Sequence, residues 1–179
     1  MEKSVIEKVI LTKEEIAERV AEMGKEIAAD YAGENLLLVG ILKGCVPFMA
    51  DLMRAIDLPL TMDSVTVSSY GSGSTSGELR FLKDLDTDVQ GKNLLLVDEI
   101  LDSGKTLYFM RKLLLDRGAK SVKICAFLNK KIDRPYGIEA DYVGFDCGNE
   151  FLVGYGLDYG EVYRNLPYVA ILRLENDPS

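Results

Sequence analysis

Two stretches, LLLVGIL at 36–42 and NLLLVDEI at 93–100, are apolar at consecutive rather than alternate positions. A strand's side chains point alternately to its two faces, so a strand that is apolar throughout must be covered on both. The runs are far too short to span a membrane, and LLLVGIL stops at Lys43. Around them the chain carries helical periodicity. Thr12 and Glu15 make a capping box for a helix over 12–31, Leu11 and Ile16 can staple its entry, and Ile16, Val20, Met23 and Ile27 share one face. Pro47 suits the first turn of a helix running through Ile56. A third helix runs from Gly104 to Arg117, with Leu107, Met110 and Leu114 inward and Gly118 as its stop. SVTVSSY (64–70) alternates like a strand, and SVKICAFL (121–128), YVGFD (142–146) and VAILRL (169–174) complete the strand set. This order predicts an α/β fold, a mainly parallel twisted sheet flanked by helices, as a single domain over 1–179.

Histidine is absent. Proton transfer near neutral pH then falls to a carboxylate, lysine, tyrosine or thiol, and histidine triads and histidine-ligated metals are excluded. Cys45, Cys125 and Cys147 are odd in number and widely spaced, with no CxxC pair, which argues against a zinc site or a disulfide framework. A net charge of −8 argues against nonspecific nucleic-acid binding. It leaves room for a small anionic ligand, because local amides and a divalent cation outweigh global charge. The opening MEKSVIEKVILTKEE is broken by charges and lacks the apolar middle of a secretion signal, so the cytoplasm is the expected location.

The densest chemistry lies in LLLVDEILDSGKTL at 94–107. A buried strand runs into Asp98 and Glu99, then Asp102, and at once into Ser103, Gly104, Lys105 and Thr106. Two common phosphate motifs fail. A Walker loop ending in Gly104-Lys105-Thr106 needs a glycine where Glu99 stands, and a dinucleotide fingerprint begun by Gly71 and Gly73 meets Ser76 at its last glycine. What remains is a strand, a turn and a helix, and in a parallel sheet the loop after a strand's carboxyl end is where ligands bind. Free amides from Asp102 to Thr106, the helix dipole and the hydroxyls of Ser103 and Thr106 describe a monophosphate cradle. An ordinary turn with Ser103 as N-cap explains the hydroxyls but not two adjacent acids, each of which must be solvated or paired. Acids beside such a cradle suit ribose hydroxyls and Mg²⁺. GSGSTSG at 71–77 reads either as a flexible hairpin loop or as a lid, and composition alone favours the loop.

LLLVDEILDSGKTL resembles the phosphoribosyl pyrophosphate signature of the type I phosphoribosyltransferases. GILKG (40–44), SSYG (68–71), LNKK (128–131), DYVGFD (141–146) and FLVGYGLDYGEVYRNLPYV (151–169) narrow the resemblance to the hypoxanthine-guanine branch of that family, in order along nearly the whole chain. The resemblance implies the type I phosphoribosyltransferase fold. It adds a small hood from the N- and C-terminal segments and a flexible lid over about 68–80, opened by Ser68, Ser69 and Tyr70. It places Lys43 and Gly44 in a pyrophosphate loop, with a non-proline cis peptide before the lysine. Asp98 and Glu99 would face the ribose hydroxyls and Mg²⁺, and Asp102, Ser103, Gly104, Lys105 and Thr106 would hold the 5′-phosphate.

The same resemblance gives Asp102 the catalytic role of accepting the purine N7 proton. Lys130 would recognise the oxygen at C6, Phe151 would stack on the base, and the Leu152 backbone would read its edge. Asp158 would help hold a second Mg²⁺, and Arg164 would contact pyrophosphate. The implied reaction joins hypoxanthine or guanine to phosphoribosyl pyrophosphate in purine salvage, giving IMP or GMP and pyrophosphate, in a homodimer or homotetramer.

One departure stands out. The family order is glutamate then aspartate, whereas here Asp98 precedes Glu99. Because successive strand side chains point to opposite faces, the exchange predicts an active but imperfectly positioned site. Cys45 stands where the family has a smaller residue and reads as an apolar filler rather than a nucleophile. Two alternatives stay open: a xanthine-preferring relative, and a noncatalytic RNA-binding regulator of the same fold.

Overall fold

The structure, a computed structural model, describes residues 4–68 and 80–174. In chain order it runs β1 (Ser4–Leu11), α1 (Lys13–Asp30), β2 (Leu36–Leu42), α2 (Val46–Ala55), β3 (Leu60–Ser68) and β4 (Arg80–Lys83). It continues with β5 (Asn93–Leu101), α3 (Lys105–Asp116), β6 (Ser121–Lys130), β7 (Tyr142–Cys147), β8 (Leu152–Val153) and β9 (Val169–Leu174). Six strands form one sheet in the order β4-β3-β2-β5-β6-β7, parallel except for the edge strand β4. The N- and C-terminal strands form a second, antiparallel sheet in the order β1-β9-β8.

The helices start and bury where local chemistry dictates. The Thr12 hydroxyl accepts from the Glu15 N–H at 3.2 Å, and the Glu15 carboxylate accepts from the Thr12 N–H at 2.8 Å, so two free amides of the first turn of α1 are satisfied. Ile16, Val20, Met23 and Ile27 form its buried stripe. Pro47 sits in the first turn of α2, and Leu107, Met110 and Leu114 are the buried face of α3.

The central strands bury both faces. Leu36 and Leu38 of β2 and Leu95 and Val97 of β5 enter a core with α1 and α2, while Leu37, Val39, Leu94 and Leu96 enter a second core with α3. Each fully buried leucine or valine contributes about 1.5–3 kcal/mol, so these two strands hold both layers together. The alternation then reverses at the strand's carboxyl end, where Ile100 packs against the first core and Leu101 lies in the second. The small sheet docks on the first core through Leu152 and Val169.

Three strands escape the sequence reading. β1 and β8 are edges completed only by β9, and β8 has just 2 residues. β4 is a short edge strand that exists by pairing with β3, which itself begins at Leu60 rather than Ser64. Among the described residues no helix is long and apolar enough to cross a membrane.

Candidate active site

The turns after β2, β5 and β6 lie together at the carboxyl end of the parallel sheet, where strand ends leave backbone groups free for a ligand. The Leu42–Lys43 peptide is cis. Gly44 then passes so close to β5 that an added Cβ would fall 2.0 Å from Glu99 Oε1. On its other side, a Cβ at Gly156 (φ 103°) would fall 1.9 Å from the Gly44 carbonyl oxygen. Gly156 therefore requires glycine, whereas a methyl at Gly44 would have to displace the Glu99 carboxylate. Cys45 is fully buried, and burial followed by the charges of Asp98 and Glu99 pushes its thiol up, which fits a filler and not a nucleophile.

Asp98 and Glu99 lie close enough to interact, contrary to the expectation that they point to opposite faces. A regular pleat would separate them, but the packing reverses at the end of β5, where the Glu99 N–H donates to Asp98 Oδ1 at 3.1 Å and the Glu99 charge acts on the Asp98 carboxyl. Burial and the neighbouring Glu99 charge push the Asp98 carboxyl well above the ordinary carboxylate value. Glu99 Oε2 is buried without a hydrogen-bond partner. A crowded acid pair with an orphaned oxygen is the donor chemistry of a hard divalent cation, which takes one or two carboxylates and completes its shell from water and substrate. These two residues fit Mg²⁺. Asp158 stands apart from them: among the described residues no three acids, cysteines or histidines converge on one point.

The turn after β5 lines a pocket of 120 Å³ formed by Asp98 and residues 100–107. The N-cap of α3 is Gly104 in the left-handed region (φ 72°), and no side chain caps the helix. Ser103 therefore is not the N-cap; its Oγ accepts only a long 3.4 Å bond from the Lys105 N–H. The first-turn amides are left for an anion, with the helix dipole behind them.

Lys130, the last residue of β6, places its Nζ 2.9 Å from Asp102 Oδ2. Phe151 is 52% exposed, and the Tyr159 ring meets it edge-on at 5.7 Å. An exposed aromatic face held by a second ring is a platform for a planar ligand. Leu152, by contrast, is buried in β8, paired with Ile171.

Segment 154–164 carries Arg164, whose Nη1 donates to the Gly156 carbonyl at 2.7 Å and whose Nη2 meets Asp158 at 2.8 Å. The second Asp158 oxygen accepts from the Glu161 N–H at 2.8 Å, so both oxygens of Asp158 are engaged within its own loop. Glu161 extends the chain of charges: its carboxylate lies 2.9 Å from Lys43 Nζ and 3.5 Å from Arg164 Nη2. The Arg164 Nε is buried without a partner.

Ser69, Tyr70 and the GSGSTSG run at 71–77 lie outside the described residues, and Ser68 is described only as the end of β3, paired with Arg80. Sequence reasoning missed Glu161, Tyr159 and Arg134. Arg134 donates to the Asp102 carbonyl at 2.8 Å and the Leu101 carbonyl at 3.1 Å. No local pattern marks these three residues: Glu161 and Arg134 gain their roles from residues distant in the chain, and Tyr159 from a loop that folds back on Phe151.

The phosphoribosyl transferase domain model matches residues 8–160. The chain is 51% identical over 171 residues to the bifunctional protein TilS/HprT of Listeria innocua, covering 95% of this chain but only 26% of that protein. It is 48% identical to the hypoxanthine-guanine phosphoribosyltransferase of Streptococcus thermophilus, covering 95% of each. Among solved structures, a hypoxanthine phosphoribosyltransferase from Staphylococcus aureus superposes with a TM-score of 0.90 at 44% identity, covering 94% of this chain and 92% of the other.

Proposed function

The chain belongs to the phosphoribosyl transferase family, and from that premise we propose that it joins hypoxanthine or guanine to phosphoribosyl pyrophosphate, releasing pyrophosphate, in purine salvage. The observation that carries this reading is the Lys130–Asp102 pair beside the uncapped turn of α3, an acceptor and a donor set next to an anion cradle.

In the proposed step the bond from the ribose C1′ to pyrophosphate breaks as purine N9 bonds to C1′. Positive charge grows on the sugar, as in glycoside chemistry. The 5′-phosphate sits on the amides of 102–106, which orients the sugar without contributing a proton. Asp102 accepts the N7 proton, and Lys130 donates to O6, so the base enters with its acceptor edge toward β6. Phe151 covers one face of the ring. Lys43 and Arg164 hold the departing pyrophosphate. Asp98 and Glu99 are the residues that would hold Mg²⁺, with Asp158 at the pyrophosphate end, and the cation would offset charge on the leaving group.

The β1-β9-β8 sheet serves as the hood over the base, and residues 68–80 serve as the lid that excludes water. Three free cysteines suit a reducing cytoplasm. A homodimer or homotetramer is the expected assembly.

Turnover with hypoxanthine, guanine, xanthine and adenine, with and without a chelator, tests the reading. Turnover of the first two bases with pyrophosphate release, abolished by the chelator, is the expected result. Preference for xanthine would move the chain to the neighbouring specificity. RNA binding without turnover would replace the enzyme with a regulator.

A further inference from the structure

Arg134 lies outside every motif that carries the proposed chemistry, yet its guanidinium joins two of them. Nε donates to the Asp102 carbonyl at 2.8 Å, and Nη2 donates to the Leu101 carbonyl at 3.1 Å and to Asn129 Oδ1 at 2.6 Å. Nη2 also reaches the Lys130 carbonyl. The acceptors belong to the last residues of β5 and β6 and to the turn that follows β5. Leu101 and Asn129 are the last paired residues of the β5–β6 ladder, and the Lys130 carbonyl also accepts from the Ile132 N–H at 3.0 Å, so the guanidinium adds its bonds where the ladder ends.

The arginine is itself held. It precedes Pro135, which confines its backbone to extended conformations. The Gly137 N–H returns to the Arg134 carbonyl at 3.2 Å. The same loop packs on the phosphate turn, where a Cβ at Gly104 would fall 2.0 Å from Ile138 Cγ2.

Asp102 follows β5 and Lys130 ends β6, and a 2.9 Å contact between an exposed carboxylate and a largely buried lysine needs their backbones fixed relative to one another. We infer that Arg134 is a positioning residue that straps the end of β5 to the end of β6 and thereby sets Asp102 against Lys130. Its effect on catalysis rests on the purine-site reading above, while the strap itself rests on the hydrogen bonds alone. A planar guanidinium with donors in a fixed fork satisfies several carbonyls at once, which a lysine ammonium on a flexible stem does not reproduce.

The test compares wild type, Arg134→Gln and Arg134→Lys by steady-state kinetics and by amide hydrogen exchange. Both variants should lose about 10- to 100-fold in kcat/KM for hypoxanthine, as expected for a misplacement near 1 Å. The KM for phosphoribosyl pyrophosphate should move much less, and lysine should not rescue. Amides of residues 101–102 and 129–131 should exchange faster while those of 93–97 and of the phosphate cradle at 103–106 keep their protection. An equal loss for both substrates, or a fall in protection across the whole sheet, makes Arg134 an ordinary structural residue and overturns the inference. So does unaltered exchange and turnover in Arg134→Gln. A wild-type chain without purine turnover whose strand ends still loosen in Arg134→Gln would overturn the purine reading and support the strap.

Discussion

Glu161 holds Lys43: the carboxylate lies 2.9 Å from the ammonium of a residue 118 positions earlier in the chain. Its other oxygen faces Arg164. An acid of this chain thus occupies both cations assigned to pyrophosphate. The hydrogen bond from Lys43 lowers the Glu161 carboxyl below its ordinary value, so it stays charged through the physiological range. Glu161→Gln should lower the KM for phosphoribosyl pyrophosphate and tighten product inhibition by pyrophosphate, about two- to fivefold for an exposed pair. A raised KM would show that Glu161 aids binding instead of competing with it.

Lys130 should select the purine. Adenine presents an amino group where hypoxanthine and guanine present an acceptor, and a lysine facing a donor loses its partner. Lys130→Gln should reduce kcat/KM for hypoxanthine and guanine about 10- to 100-fold while narrowing their lead over adenine. Competition assays with all four bases measure both effects, and unchanged ratios would remove Lys130 from the site.

Asp102→Asn keeps the size of the side chain and removes the base. It also removes the negative partner of Lys130. The value of kcat should fall about 10²–10⁴-fold, with little change in phosphoribosyl pyrophosphate affinity measured by calorimetry. Collapse of that affinity with kcat preserved would make Asp102 structural.

Two glycines should separate catalysis from folding. Gly44→Ala pushes a methyl toward the Glu99 carboxylate, the movable end of a side chain, so the protein should fold and lose up to about 10²-fold in kcat/KM for phosphoribosyl pyrophosphate. Gly156→Ala instead drives a methyl into a backbone carbonyl from a positive φ, and the yield of folded protein should fall. Thermal melts beside kinetics distinguish the two, and equal behaviour would refute the assignment.

Acid stability should depend on Asp63. Burial works against its charge, but hydrogen bonds from the Ser64 and Thr87 amides and from Lys83 outweigh it and hold the carboxyl at about 2 rather than 3.8. A carboxyl depressed by folding contributes stability that is complete above its unfolded value and lost as the pH falls toward the folded one. The contribution at neutral pH is about 2 kcal/mol. Asp63→Asn should lower Tm at pH 7 by about 4–8 °C and flatten the decline between about pH 5 and 2. Scanning calorimetry across that range checks it, and an unchanged acid limb would assign the decline to other carboxylates.

Helix α1 was legible because its cap and buried stripe are short-range: Thr12 answers Glu15, and Ile16, Val20, Met23 and Ile27 repeat within one element. The parallel sheet followed from β2 and β5, whose unbroken apolar runs admit no uncovered face. The turn from Asp102 to Thr106 was legible for the same reason, since strand, turn and helix are contiguous. Strands β1 and β8 were not, because an edge strand of weak pattern is decided by its partner, here β9 at the far end of the chain. The closeness of Asp98 to Glu99 was not, because the packing reverses only where β5 leaves the regular pleat between two cores. The sequence by itself therefore determined the three helices, the parallel strands, the layer order and the phosphate turn, all of which rest on periodicity and neighbouring residues. Only the tertiary structure decided which charges meet. Lys43 with Glu161, Lys130 with Asp102 and Arg134 with the ends of β5 and β6 are contacts across the fold, made by side chains whose local surroundings would suit a solvated face equally well.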